Sequence, residues 1–354
     1  MTLRIGILLG DDIGLEVVPE TVKVMKAAAA RAGLDIDWTP LPIGKAGHEE
    51  HGDTLPEITE TTLRGLQGWI MGPIGHAAYP RNDPTWVMPP VRKRFELFAA
   101  LRPARAWPTL PSIHEGVDIV FVREISEGML NRGTVVAGAG EFRPNDDITI
   151  SSRVITRKGA NRVAREAFEL ARTRPRKTVT AAHKEPVYRL ACGMFAEECR
   201  KVAAEFPDVT FNEAMIDTIS MKLVMKPQQY DVVVTTNQFG DILSDIGAGL
   251  VGGLGLAPGL CVGHDQAMAQ ATHGSAPDIA GQAIANPYAM IMSGQMLLGW
   301  LARKHAEPKA AEAAALIETA VGRVLEEGRT LTPDLGGSAS TQAMGDAIAA
   351  AVDA

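Results

Sequence analysis

Unbroken apolar runs and amphipathic stretches alternate along the first quarter of the chain. Leu3 to Gly10, LRIGILLG, has the continuous hydrophobicity of a buried strand. DDIG turns the chain, and a helix is expected from about Leu15, with Pro19 tolerated in its first turn. Val18, Val22, Met25 and Ala29 fall on one face of that helix, and Gly33 is placed to end it. Gly68 to Gly75, GWIMGPIG, reads as a second buried strand running into a glycine turn. Strand, helix, strand with glycine at the carboxyl ends is an α/β pattern, and ligands in such sheets sit at those ends.

The rhythm breaks at ARAWPTLP, Ala104 to Pro111, which marks a crossing between domains. VDIVFVRE (Val117 to Glu124), KTVTAAH (Lys177 to His183) and YDVVVTTN (Tyr230 to Asn237) read as further strands. DITISSRVIT alternates, which predicts an antiparallel strand and a different sheet style in mid-chain. GANRVAREAFELARTR is an amphipathic helix. From about Pro287 the chain is helical and alanine-rich, interrupted by PDLGGSAST before a last helix. There is no internal repeat and no low-complexity tract.

Composition narrows the class. The chain has 354 residues, enough for two domains or one large one. A net charge of −7 with acids and bases interspersed argues against nucleic acid or an anionic membrane as partner. Cys192, Cys199 and Cys261 show no metal-ligand spacing, and MTLRIGILLG reads as a strand rather than a secretion signal. A reducing cytoplasm is the expected compartment. The 18 uncharged residues from Ile246 to Gly263 reach the length of a membrane span, but seven are glycine and one is proline, which a spanning helix disfavours.

The candidate chemistry centres on NQFGDILSDIGAGLVGGLGLAPG, Asn237 to Gly259. Asp241 and Asp245 stand one helical turn apart on one face. Like charges that close repel unless a cation lies between them, and hard oxygen ligands suit Mg²⁺ or Mn²⁺. The plainer reading is one capping acid and one exposed acid. The glycines that follow tilt the balance, because they let backbone approach a ligand. Arg92, Arg94, Arg102, Arg105 and Arg123 supply guanidinium groups, and Arg123 ends a buried strand. Such forks bind carboxylates with paired hydrogen bonds, so several imply a small polyanionic substrate. For Arg94 and Arg105 a solvated helix face is the simpler expectation. Lys184, at the end of a strand, becomes a usable base if a nearby cation lowers its pKa; a lone lysine is more often a surface residue. Asp217, on a helix among apolar neighbours, is expected to be half-buried and to need a metal or an arginine. THGSAPDIAGQAIANP embeds His273, Asp278 and Asn286 among small residues. There Asp278 could accept both hydroxyls of a ribose and repel a 2′-phosphate, although no G-x-G-x-x-G signature is present.

Taken together and in order, these motifs resemble the β-decarboxylating dehydrogenases of the isocitrate and isopropylmalate family, which includes homoisocitrate, D-malate and tartrate dehydrogenases. GDDIGLEVVPE, FELFAALRPAR, VREISEG, AAHKEPV, YDVVVTTNQFGDILSD, HGSAPDIAG with IANP, and DLGGSAST carry the likeness over nearly the whole chain. The resemblance implies a two-domain α/β fold other than the ordinary Rossmann fold. A large cofactor-binding domain is made from residues 1–103 and 256–354. A smaller middle domain, 104–255, holds the dimer interface. It implies a homodimer with shared sites, acting on a small hydroxy-carboxylate. Arg92, Arg102 and Arg123 would grip carboxylates. Asp241, Asp245 and a partner's Asp217 would hold Mg²⁺ or Mn²⁺, and Lys184 would act as base across the interface. His273, Gly274, Ser275, Ala276, Asp278 and Asn286 would bind the adenosine of NAD, with Asp278 selecting NAD over NADP. Gly72, Gly75 and Gly255 would line the cofactor cleft. The chemistry implied is hydride loss from C2 followed by loss of the β-carboxylate as CO₂.

Three positions depart from the family pattern. Leu130 replaces the tyrosine that protonates the enolate, Pro186 replaces the asparagine that orients the nicotinamide amide, and Gln270 replaces a glutamate. AGLVGGLGLAPG and LVMKP are closer to the homoisocitrate and isocitrate branch. DPTWVMPPVRK, with Met88, Pro89 and Pro90, suggests an apolar wall suited to malate-like or alkylmalate substrates. The expected function is oxidation, with decarboxylation, of a 3-substituted malate. The alternatives are a D-malate or tartrate dehydrogenase, a catalytically silent regulatory subunit, and a metal-dependent hydrolase.

Overall fold

A computed structural model describes residues 1–75, 79, 90–129 and 140–353. The first stretch supplies β1 (Leu3–Leu8), α1 (Gly14–Ala32), β2 (Ile36–Pro40), α2 (Gly44–His51), α3 (Glu57–Arg64), β3 (Gly68–Met71) and α4 (Val91–Arg94). The middle supplies β4 (Ala99–Arg105), β5 (Asp118–Glu124), β6 (Glu141–Asn145), β7 (Ile148–Ser151), α5 (Arg157–Arg172), β8 (Thr178–His183) and α6 (Ala191–Glu205). It continues with β9 (Thr210–Met215), α7 (Ile216–Met225), β10 (Val232–Thr235) and α8 (Asn237–Leu250). The last stretch adds β11 (Leu260–Val262), β12 (Ala267–Ala269), α9 (Tyr288–His305), α10 (Pro308–Glu327) and α11 (Thr341–Asp353). The architecture is α/β, with mainly parallel strands.

The chain divides into two units. One is Met1–Phe95, Trp107–Pro111 and Gly252–Ala354; the other is Glu96–Ala106 with Ser112–Val251. The segment ARAWPTLP therefore leaves the second unit at Trp107 and returns to it at Ser112.

In the first unit the strands run β2-β1-β3-β12-β11, parallel except for the β11–β12 pair. Leu3, Ile5 and Leu8 are wholly buried, as a continuous apolar run requires. Val18, Val22, Met25 and Ala29 line the buried face of α1, which packs against α9, α10 and α11. Gly33 ends α1 in the left-handed region at φ 63°, where a Cβ would be strained. The helix starts at Gly14, so Pro19 sits in its second turn and not its first. The fold tolerates it because Pro19 and Leu15, whose carbonyl loses its helical partner, both lie on the exposed side.

In the second unit the order is β4-β5-β10-β8-β9, with only β4 antiparallel to its neighbour. The alternating DITISSRVIT forms β7, which pairs antiparallel with β6 in a separate two-stranded sheet. Phe121, Val233, Ile219, Leu223 and Leu243 make up the core under α7 and α8. Arg105, expected on a helix face, instead closes strand β4 at its exposed end. Arg94 does lie on the exposed side of a helix, 3.9 Å from Glu60.

The uncharged run from Ile246 completes α8, makes a tight turn through Gly252 and Gly253 at φ 118° and 110°, and becomes β11. Among the described residues no helix is long and apolar enough to cross a membrane. Two glycines of α8 act in packing. A Cβ on Gly240 would come within 2.6 Å of the Arg123 side chain, and one on Gly247 within 2.4 Å of the Phe121 ring. Gly249 in the same helix faces open space.

This contrast is testable by thermal unfolding. Gly247→Ala is expected to destabilise by about 1–3 kcal/mol through overpacking against Phe121. Gly249→Ala is expected to be neutral or stabilising by up to about 1 kcal/mol. Equal effects at both positions would contradict the packing account.

Candidate active site

Antiparallel pairing of β4 with β5 sets Arg102 opposite Phe121 and Ala100 opposite Arg123, and α8 follows directly from β10, β5's other neighbour. Gly240 lets α8 come close enough for both arginines to reach its acids. The Arg102 Nη1 donates to Asp241 Oδ1 at 3.1 Å and to Ser244 Oγ at 2.8 Å, and stands 3.8 Å from Asp245 Oδ1. Arg123 also donates to Asp241 and, through Nη2, to Asn237 Oδ1 at 2.7 Å. Asn237 in turn donates to the Glu127 carbonyl at 2.7 Å. Arg123 is only 5% exposed, so a charge-assisted partner is obligatory. Asp245 is held above the usual carboxylate range, first by burial, with the neighbouring Asp241 charge adding to it and Arg102 opposing. Arg102 and Arg123 balance the charge of the two acids, and two hard carboxylates on one helix face are the donor type a divalent cation takes.

Lys184 and Asp217 meet each other instead. β8 delivers Lys184, and the first turn of α7 delivers Asp217, whose Oδ2 lies 2.6 Å from the Lys184 Nζ. That hydrogen bond holds the Asp217 carboxyl below its ordinary value. Asp217 is not half-buried and its partner is neither metal nor arginine. Its apolar neighbours Met221, Val224 and Met225 point outward and are more than half exposed, so they form no core around it. Among the described residues the one three-ligand cluster compact enough for a single ion is His183, Glu185 and Glu213, not Asp217 with Asp241 and Asp245. Arg200 already spans that cluster, bonding Glu185 at 2.7 Å and Glu213 at 2.9 Å. His183 accepts the Glu185 N–H through Nδ1, which leaves Nε2–H to donate to Glu213 at 3.1 Å.

In the first unit, buried Asp11 from GDDIG accepts three hydrogen bonds, each 2.9 Å long, from the Gly75 N–H, the Lys45 N–H and the Tyr79 hydroxyl. Burial and the Asp11 charge push the Tyr79 phenol pKa up. Gly72 is pressed against the Leu9 carbonyl, where a Cβ would sit 2.0 Å away. The loop expected to bind adenosine is held at several points. The Ser275 carbonyl accepts from Ile13 N–H at 3.2 Å, Ala276 adopts φ 44°, and the Asn286 amide donates to Asp334 at 2.9 Å. Gly255 closes on the same pair, its Cβ position 2.7 Å from Asp334 Oδ2. His273 Nδ1 lies 3.0 Å from the Gly274 carbonyl, while its Nε2 is sealed from water without a partner among the described residues. Burial pushes this imidazole's pKa down. Gly274 is exposed, and Asp278 is exposed with its carboxylate unengaged among the described residues. An orphaned ring nitrogen and a free carboxylate on one braced loop fit a nucleoside ligand. Arg92, on α4, donates to Gln270 Oε1 at 3.0 Å.

Sequence reasoning passed over Asn237, Ser244, Asp11 and the Glu185–Arg200–Glu213 bridge. Only Asp11 carried a signal, its place in the opening glycine motif. Leu130, Met88 and Pro89 lie outside the described residues, and Pro90 caps α4.

A family model described as isocitrate/isopropylmalate dehydrogenase matches residues 4–348. The chain is 39% identical over 359 residues to the isocitrate/homoisocitrate dehydrogenase of Thermus thermophilus, covering 99% of both. It is 38% identical over 353 residues to the 3-isopropylmalate dehydrogenase of Archaeoglobus fulgidus, again covering 99% of both. The crystal structure of isocitrate dehydrogenase from Methylococcus capsulatus superimposes with a TM-score of 0.86 at 38% identity, covering 99% of this chain and 100% of that one.

The lowered His273 pKa couples stability to pH. The folded state favours neutral imidazole, so its contribution to stability is full above the unfolded value of about 6.5 and is lost as pH falls through the folded value. Denaturant unfolding at pH 7.5 and 5.5 should show a loss of stability in the wild type that shrinks in His273→Gln. An identical pH dependence in the two proteins would contradict the buried-imidazole account.

Proposed function

Because the chain belongs to the isocitrate/isopropylmalate dehydrogenase family and is a dehydrogenase of hydroxy acids, we propose that it carries out NAD-dependent oxidation, with decarboxylation, of a 3-substituted malate such as isocitrate, homoisocitrate or 3-isopropylmalate. The observation that carries this reading is the convergence of Arg102 and Arg123 on Asp241, with Asp245 one turn further along α8. Two guanidinium groups beside two carboxylates suit a substrate that is itself a polycarboxylate and binds with a cation.

Bound Mg²⁺ or Mn²⁺ supplies Lewis acidity and bound NAD accepts hydride. Asp241 and Asp245 would hold the ion, with Asp217 from a second copy of the chain, and the loop from His273 to Asn286 would hold the adenosine. Arg102 and Arg123 orient the substrate through its carboxylates, and Arg92 is assigned the same role. Lys184 takes the C2 hydroxyl proton. Its closeness to Asp217 supports a unit that moves together, and the pair's separation from the Asp241 cluster supports completion of each site by a second protomer. The outward apolar side chains of Met221, Val224, Met225 and Ile242 supply a surface for that second copy to cover.

A panel of isocitrate, homoisocitrate, 3-isopropylmalate, D-malate and tartrate, assayed with NAD and NADP and Mn²⁺, tests the reading. NADH and CO₂ should appear together for one of the first three. No reduction with any member would favour the silent-subunit or hydrolase alternatives. Asp241→Asn should cost at least about a hundredfold, since even groups that only support metal ligands cost 10–100-fold. Mixing Lys184→Ala with Asp241→Asn protomers should restore about a quarter of wild-type activity if sites are shared across a two-fold interface, and none if each chain is self-sufficient.

A further inference from the structure

Loss of CO₂ from a β-carboxylate leaves the electron pair of the broken C–C bond in an enolate, and an acid must deliver a proton to that carbon. A phenol suits this task, and the chain has four tyrosines. Tyr79 is 8% exposed and bonded to Asp11, Tyr230 is 5% exposed, and Tyr288 is 2% exposed with its hydroxyl accepting from Trp107. Tyr188 differs from all three in exposure. It is 52% exposed, and its hydroxyl has no hydrogen-bond partner among the described residues.

Its location is also distinctive. The Tyr188 N–H donates to the Lys184 carbonyl at 2.9 Å, and the Val187 N–H bonds the same oxygen at 3.1 Å. One closed turn therefore carries both Lys184 and the phenol, and Pro186 inside that turn stiffens it. The ring is fixed on its other side. The Arg153 guanidinium stacks 5.5 Å from it and 4.6 Å from Phe239, and donates to Thr236 Oγ1 at 3.0 Å. Thr236 and Phe239 stand at the start of α8, so the ring is braced against that helix end.

We propose that Tyr188 is the acid that protonates the enolate carbon, an inference that rests on the decarboxylating reading above. The enolate pair forms the new C–H bond, the phenol O–H bond breaks, and the phenolate recovers a proton from solvent. Wherever Lys184 engages substrate, Tyr188 arrives on the same turn.

The test uses Tyr188→Phe, which keeps the ring on Arg153 and removes only the hydroxyl. Two readouts in D₂O separate chemistry from structure. With the substrate identified in the panel, wild type should place one deuteron stereospecifically at C3. The variant should fall on the order of 10²- to 10⁴-fold in turnover and lose that stereospecificity. With 2-oxoglutarate, 2-oxoadipate or 4-methyl-2-oxopentanoate, wild type plus Mn²⁺ and NADH should exchange C3 hydrogen for deuterium, and the variant should not. Turnover within twofold of wild type, with stereospecific labelling and exchange retained, overturns the assignment. Failure of wild type itself to reduce NAD with any panel substrate would remove the parent reading instead, a different result from an active wild type with an unaffected variant.

Discussion

A guanidinium that is nearly out of water is tolerable only if its charge is met, and Arg123 meets that condition through Asp241 and Asn237. Much of the second unit's local arrangement follows from this. Asn237 must begin α8 where its amide can bridge Arg123 and the Glu127 carbonyl. Gly240 must lack a side chain so that the arginine stem can lie against the helix. Arg102 joins the same carboxylate from the neighbouring strand and is steadied by Ser244. The cluster is thus a structural necessity and a concentration of anion-binding groups at once.

The second pair, Lys184 with Asp217, obeys different physics. Both groups stand where solvent reaches them, more for the acid than for the amine, so their attraction is screened and contributes little to stability. Its value lies in placement. The Glu185–Arg200–Glu213 bridge pins the neighbouring residue of the same strand end. The backbone bearing the amine is thereby fixed, while the amine itself stays free to exchange partners.

Local patterns were readable from the chain to the extent that they depended on near neighbours. The apolar stripe of α1, its Gly33 terminus, the buried strand LRIGILLG and the placement of two acids on one face of α8 are all consequences of period and turn chemistry. The family was readable because its motifs recur in order over nearly the full length. Contacts between distant segments were not readable. Nothing near Asp217 announces Lys184, thirty-three positions away, as its partner. Its apolar neighbours suggested a core, and Ile219 and Leu223 do enter one, but Asp217 lies on the other face of α7 with the exposed Met221, Val224 and Met225. The glycines after Asp245 suggested space for a ligand, whereas Gly247 is filled by Phe121. Periodicity identifies a face of a helix without saying what lies opposite it.

The first unit is assembled from the two ends of the chain. β1 and β3 await β12, and α1 awaits α9, α10 and α11, which occupy the final quarter of the sequence. As the polypeptide leaves the ribosome, the amino-terminal strands have no completed sheet to join and their apolar faces stay uncovered. The second unit, nearly contiguous, has all its strands available well before translation ends. The middle can therefore consolidate before the segments that flank it, while β1 and β3 wait for β12 and the helices that follow it.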